Sequence, residues 1–184
     1  MAPEINAIAV VGAGEIGREI ALAALRAGYR TILEDVSESR LRSAAAWIAE
    51  RAALDAAALS RLILATEVES AVREANLIIE AVAEEVEMKI EMFTIFDKFA
   101  KPGAIFASSS LSISIAELAE ITFCPERCIG WRFGAISAGA RELQLVLGPA
   151  TSETTVAACR EVGRRMGLDV TVVSENGCAS GAQA

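Results

Sequence analysis

Ile8-Ala9-Val10-Val11-Gly12-Ala13-Gly14-Glu15-Ile16-Gly17-Arg18-Glu19-Ile20-Ala21-Leu22-Ala23-Ala24-Leu25-Arg26-Ala27 runs from an apolar stretch through three glycines into a segment with apolar residues at helical spacing. It predicts a strand, a tight turn and a helix. Gly12-x-Gly14-x-x-Gly17 has the spacing of a turn around a dinucleotide pyrophosphate: the first glycine for the turn, the second for backbone close to phosphate, the third for helix-on-sheet packing. The helix start then offers unpaired N–H groups and the positive end of its dipole. Gly28 ends the helix, Arg30–Leu33 predicts a second strand, and Asp35 follows 18 residues after Gly17, close to the spacing of an acid that holds an adenosine ribose. Such a turn also serves flavin or another nucleotide, so these stand beside NAD. No arginine near Asp35 is obviously placed for a 2′-phosphate, which favours NAD over NADP.

Outward from this stretch, short apolar runs alternate with helical patterns, as in a doubly wound, mostly parallel α/β sheet of the Rossmann type. Expected strands are Ile5–Val11, Arg30–Leu33, Leu62–Ala65, Leu77–Val82, Ala104–Ser108, Ile129–Phe133, Leu143–Leu147 and Val170–Val173. Expected helices are Glu15–Ala27, Ser39–Ala58 as one or two, a short turn near Glu67–Arg73, Met88–Phe99, Ile115–Ala119 and Glu153–Met166. Ser114-Ile115-Ala116-Glu117 fits a capping box and Gly167 a helix stop. One domain over residues 1–173 is expected, with 174–184 as a flexible tail.

Hydrophobic residues make up 53% of the 184, enough for a substantial core. Charges interrupt every apolar run, which argues against a membrane span, and the start of the chain has no basic region, which argues against a signal peptide. A cytoplasmic protein is the resulting expectation. A net charge of −8 argues against nucleic acid or an anionic membrane as partner. The four cysteines (Cys124, Cys128, Cys159, Cys178) lack zinc-site spacing and there is no histidine, so no metal is expected and the thiols read as reduced.

Further motifs resemble one family in order. Asn76-Leu77-Ile78-Ile79-Glu80-Ala81-Val82-Ala83-Glu84, with Lys89 five residues on, is similar to the DLVIEAV-x-E segment of 3-hydroxyacyl-CoA dehydrogenases, 3-hydroxybutyryl-CoA dehydrogenases included. Ala107-Ser108-Ser109-Ser110-Leu111-Ser112-Ile113-Ser114-Ile115 resembles ASNTSSLSI, and Pro125-Glu126-Arg127-Cys128-Ile129-Gly130-Trp131-Arg132-Phe133 resembles PERxIGxHFFNP. The resemblance runs from about Ile5 to about Val173. It implies an NAD-binding domain and, by descent, an oxidoreductase of 3-hydroxyacyl thioesters in fatty acid metabolism. It also implies a cofactor site made of Gly12, Gly14, Glu15, Ile16, Gly17, Asp35, Ala81, Val82, Glu84, Lys89 and Ser108. From the residues alone, Glu84 and Lys89 read as a solvated helix start.

The chain departs from the family where the reaction is run. The family's general base is a histidine, and Arg132 stands in its place; a guanidinium stays protonated and cannot accept a hydroxyl proton. The glutamate that orients the histidine falls at Gln144, the hydroxyl-donating serine at Leu111, and the asparagine of ASNTSS at Ser109. The asparagine and proline of HFFNP fall at Ala135 and Ile136. Between Val36 and Ala75, often longer in the family where it helps hold CoA, there are arginines but no lysine. Where the family continues through PGF-x-x-NR into a helical domain, this chain has Glu175-Asn176-Gly177-Cys178, so the C-terminal helical domain is expected to be absent. The resemblance therefore implies NAD binding with catalysis impaired, as in a pseudoenzyme. One alternative is a divergent oxidoreductase of an anionic substrate acting through Lys89, Ser110 or Ser112 with Arg132; Ser110, Ser112, Arg132 and Gln144 are the catalytic candidates. Another is a non-catalytic NAD-sensing or interaction module, paired as a homodimer or with a separate helical chain.

Overall fold

The computed structural model describes residues 4–51, 56–133 and 142–175. Eight strands form one sheet: β1 (Ala7–Val11), β2 (Arg30–Glu34), β3 (Leu62–Ala65), β4 (Leu77–Glu80), β5 (Ile105–Ser108), β6 (Cys128–Phe133), β7 (Glu142–Leu147) and β8 (Asp169–Ser174). Their spatial order is β3-β2-β1-β4-β5-β6-β7-β8. The first six are parallel; β7 pairs antiparallel with β6, and β8 pairs parallel with β7. The expected fold class holds, with strand ends moved by one or two residues.

Every residue of β1, β4 and β5 is buried, because helices cover both faces of the central sheet. On one face lie α1 (Glu15–Arg26), α2 (Glu38–Arg51) and α7 (Glu153–Arg165); Ile20, Leu25 and Ile48 pack there with Ile8, Val10, Leu33 and Trp131. On the other lie α4 (Val68–Arg73), α5 (Val86–Phe99) and α6 (Ile115–Glu120), around Phe93, Phe96 and Phe106, whose ring centroids are 5.5 to 6.3 Å apart. The expected helix over Ser39–Ala58 resolves into α2 and a short α3 (Ala56–Leu59). A 3-10 turn at Pro125–Arg127, which the sequence pattern did not signal, leads into β6.

Helix ends follow local chemistry. After α1 and α7 the chain closes in the same way: Tyr29 N–H donates to Ala24 C=O and Leu168 N–H to Gly163 C=O, with Gly28 and Gly167 at positive φ. The expected capping box at α6 is corrected. The Ser114 hydroxyl accepts from Ala116 N–H, and the carboxylate that completes the cap is that of Glu175, which accepts from Ile115 and Ala116 N–H. Since β8 runs through Ser174 and Glu175 is hydrogen-bonded, the first two residues of the expected tail belong to the fold. The rest of the tail lies outside the described residues.

Strand order reverses between β1 and β4, since β2 and β3 lie on one side and β5 and β6 on the other. The crevice beyond the carboxyl ends of β1 and β4 is where open α/β sheets bind ligands. Among the described residues no helix is long and apolar enough to cross a membrane.

Candidate functional site

The glycine turn sits at that crevice. Gly12 has φ +105°, and a Cβ there would lie 2.6 Å from the Ala81 carbonyl oxygen, so β1 and β4 end too close together for any side chain. A Cβ on Gly17 would stand 1.8 Å from the Gly12 carbonyl oxygen, which brings α1 directly against the turn. Gly14 differs: a Cβ there meets nothing within 4 Å. Gly12 and Gly17 are required by the fold, whereas the open space over Gly14 lies at the start of twelve-residue α1, beside the exposed Glu15 and Ile16. Backbone approach to a pyrophosphate needs that vacant cradle.

Asp35 is buried at the end of β2 and points back at the turn. Its Oδ2 accepts from Ala13 N–H at 3.1 Å and its Oδ1 from Ser37 N–H at 2.9 Å, with Arg40 Nε at 3.5 Å. A carboxylate has about four lone-pair sites, so capacity remains for ribose hydroxyls. The residues present fit the cofactor that the turn implies.

Beside it, Glu34 is 2% exposed, and its Oε1 has no partner among the described residues. Burial, then the charges of Asp35 and Glu69, push its pKa up from 4.5 to about 7. A carboxyl with a raised folded-state pKa contributes fully below its unfolded value; the contribution is lost as pH rises from about 4.5 to about 7. Glu34→Gln should therefore raise stability by about 2 kcal/mol at pH 8 and by nearly nothing at pH 4, read by chemical denaturation. The full shift at about 1.4 kcal/mol per unit sets the ceiling, and the still-unpartnered amide takes back part of it.

At the other side of the crevice the structure revises several sequence-based roles. Lys89 is wholly buried. It lies on the stripe of α5 that continues as Phe93 and Phe96, and it ion-pairs with Glu80 at 2.7 Å and Glu84 at 3.3 Å. It is therefore not part of a solvated helix start, and from this position its amine has no surface to offer a cofactor or a carbonyl. Ser108, also fully buried, donates to Glu80 at 2.6 Å, so it too supports from below the surface. Val82 N–H donates to the same carboxylate at 2.8 Å, while Ala81 and Val82 form the half-buried rim.

Glu84 gathers the serine loop. Its Oε1 accepts from the Ser110 hydroxyl at 2.5 Å, from Leu111 and Ser112 N–H at 3.0 Å each, and from the Ser112 hydroxyl at 2.8 Å. Burial pushes its pKa up, but the Ser110 and Ser112 hydrogen bonds and the Lys89 charge outweigh this and bring it to about 2. Ser110 is 1% exposed. Both serine hydroxyls donate to Glu84, which leaves them in a supporting position. Glu80 is the site residue that sequence reasoning missed. Its signal was a charge closing the apolar strand Leu77-Ile78-Ile79, with Lys89 on the buried stripe of the next helix.

Arg132 and Gln144 are brought together: strand pairing places them directly opposite each other on β6 and β7. Arg132 Nε donates to the Ser110 carbonyl at 3.2 Å, and both side chains line a cavity of about 620 Å³ with Leu111, which is 71% exposed. Ser109 N–H donates to the Glu80 carbonyl, and Ala135 and Ile136 lie outside the described residues. Cys124, Cys128 and Cys159 are free and buried, and burial pushes the Cys128 thiol to about 12, so it is protonated and inert at neutral pH. Cys178 lies outside the described residues. No cluster of metal-ligating side chains occurs among the described residues.

The family model described as 3-hydroxyacyl-CoA dehydrogenase, NAD binding domain, matches residues 7–176. A 3-hydroxybutyryl-CoA dehydrogenase of Bradyrhizobium diazoefficiens is 35% identical over 94% of this chain and 62% of its own length. A 5-formyl-3-hydroxy-2-methylpyridine 4-carboxylate 5-dehydrogenase of Mesorhizobium japonicum is 27% identical over 94% of this chain and 58% of its own. Among solved structures, the (S)-3-hydroxybutyryl-CoA dehydrogenase PaaH1 from Ralstonia eutropha superposes with a TM-score of 0.86 at 27% identity, over 93% of this chain and 64% of that one. The chain thus spans about three fifths of the length of these relatives.

Proposed function

Because this chain belongs to the 3-hydroxyacyl-CoA dehydrogenase family as an NAD-binding domain, we propose that it binds NAD(H) at the Gly12–Gly17 turn without running the histidine-based oxidation of 3-hydroxyacyl thioesters. The observation that carries the first half is the vacant space over Gly14 beside the oriented carboxylate of Asp35. The second half is carried by Arg132, which stands across from Gln144 in a chain with no histidine. Bound NAD supplies a hydride acceptor, NADH a hydride donor; the chain's own residues bind and orient it. Removing a proton from a substrate hydroxyl needs a base at the Arg132 position, and a permanently protonated guanidinium cannot be one.

Gly14→Ala separates ligand from fold. The new methyl fills the cradle while touching no protein atom within 4 Å. Calorimetry should show NADH affinity at least about tenfold weaker, or about 1.4 kcal/mol, at an unchanged melting temperature. Equal affinity would remove the turn from the binding site. With 3-hydroxybutyryl-CoA and NAD, the unaltered chain should form no NADH at a dehydrogenase-like rate, and such turnover would defeat the second half.

The runner-up is a divergent oxidoreductase acting on an anionic substrate. The open cavity at Arg132 favours it, and the pyridine carboxylate in the name of the Mesorhizobium relative is consistent with it. Arg132 and Gln144 face the cavity, whereas Lys89, Ser110 and Ser112 are engaged with Glu80 and Glu84.

A further inference from the structure

On the sheet face shared by β6, β7 and β8, helix cover stops partway. Ile115 of α6 packs over Gly130, where a Cβ would meet Val146 at 2.7 Å and Ile115 at 3.3 Å. Two residues further along β6, past Ile115, the cavity of about 620 Å³ opens. Its size suits a small ligand.

Strand pairing sets Arg132 opposite Gln144, and Gln144 opposite Thr171. Directly paired residues share a face, with strands about 5 Å apart. A guanidinium, an amide and a hydroxyl therefore stand in one row across three strands, and all three line the cavity. The Nε bond to the Ser110 carbonyl fixes the Arg132 side chain while leaving its two terminal nitrogens for a ligand. Among the described residues no carboxylate lies within ion-pair distance of it. An oriented guanidinium fork flanked by neutral donors matches the planar, two-oxygen geometry of a carboxylate. One row further, Glu142 stands opposite Asp169 on the same face, about 7 Å along the strands. That negative pair disfavours a second anionic group, so the row suits a single carboxylate better than a polyphosphate.

We propose that the Arg132–Gln144–Thr171 row binds the carboxylate of a small hydroxy- or oxo-acid. This rests on the reading of the neighbouring crevice as the NAD site of an oxidoreductase, but carboxylate binding is measured independently of NADH. The full chain is titrated with straight-chain hydroxy- and oxo-carboxylates of three to six carbons, each matched with its methyl ester, using NMR shift changes with and without NADH. At least one acid should bind tenfold or more tightly than its ester. Arg132→Gln should weaken that binding tenfold or more, and Arg132→Lys should fall between, since an ammonium lacks the fork; both variants should keep the parent melting temperature and NADH affinity. The proposal is overturned if no acid outbinds its ester, or if Arg132→Gln leaves the affinity unchanged. Carboxylate binding that survives in a chain that fails to bind NADH would support this site and defeat the cofactor reading alone.

Discussion

Lys89→Met should lower the stability of the fold by about 3–5 kcal/mol. Lys89 and Glu80 are both fully buried 2.7 Å apart, so removing the ammonium leaves the Glu80 carboxylate in a water-excluded site. Only the Val82 N–H and the Ser108 hydroxyl would then face that carboxylate. Truncating one partner of a buried pair costs far more than the pair's net contribution, because the desolvated charge remains. Two further readouts distinguish this from simple loss of packing. The deficit should shrink in acid, where a proton can neutralise the orphaned carboxylate. Adding Glu80→Gln to Lys89→Met should recover part of the loss, giving a coupling energy that a cavity alone would not produce. Denaturant titrations of the four proteins in the cycle at pH 5 and pH 8 measure both. Equal deficits at the two pH values with no coupling would show that the buried methylenes of Lys89 matter and its charge does not.

Gly17→Ala should abolish measurable NADH binding, a loss of at least about a hundredfold or 2.7 kcal/mol, and destabilise the fold by about 3 kcal/mol. The added methyl would sit 1.8 Å from the Gly12 carbonyl oxygen, a distance that no side-chain rotation can relieve because the obstacle is backbone. Either α1 moves away from the sheet or the turn opens, and both displace the N–H groups at the helix start. The same methyl at Gly14 leaves the fold intact, so two substitutions three residues apart separate the packing demand from the ligand demand. Thermal melts and calorimetry on both variants read the contrast. A Gly17→Ala protein with parent stability and NADH affinity would show that the turn tolerates a displaced helix.

The central parallel strands were legible because they are buried on both faces and read as unbroken apolar runs, as in Ile78-Ile79 and Ala9-Val10-Val11. The glycine spacing placed the crevice correctly for the same reason: close backbone approach leaves a compositional trace. Less was legible on the far side. Lys89 looks like an ordinary surface lysine until its spacing to Phe93 and Phe96 is counted, and its partner Glu80 comes from a different element nine residues upstream. Ser110 and Ser112 carry hydroxyls that could serve several chemistries; only the geometry around Glu84 shows them engaged. Glu175 reads as the start of a polar tail, because a cap supplied from sixty residues away has no local signature. The row of Arg132, Gln144 and Thr171 depends on register across an antiparallel and a parallel pairing, which periodicity within one strand does not encode.

β7 runs against β6, so the sheet changes direction along one seam. The cofactor turn, Asp35 and the Glu80–Lys89 pair hang on the strands before that seam, while Gln144 and Thr171 hang on those after it. Gln144 and Thr171 stand four and five strands away from β1, and neither is among the atoms packed around Gly12, Gly14 or Gly17. The nucleotide turn and the row of Arg132, Gln144 and Thr171 therefore rest on different neighbours, and either can be substituted with the packing of the other in place.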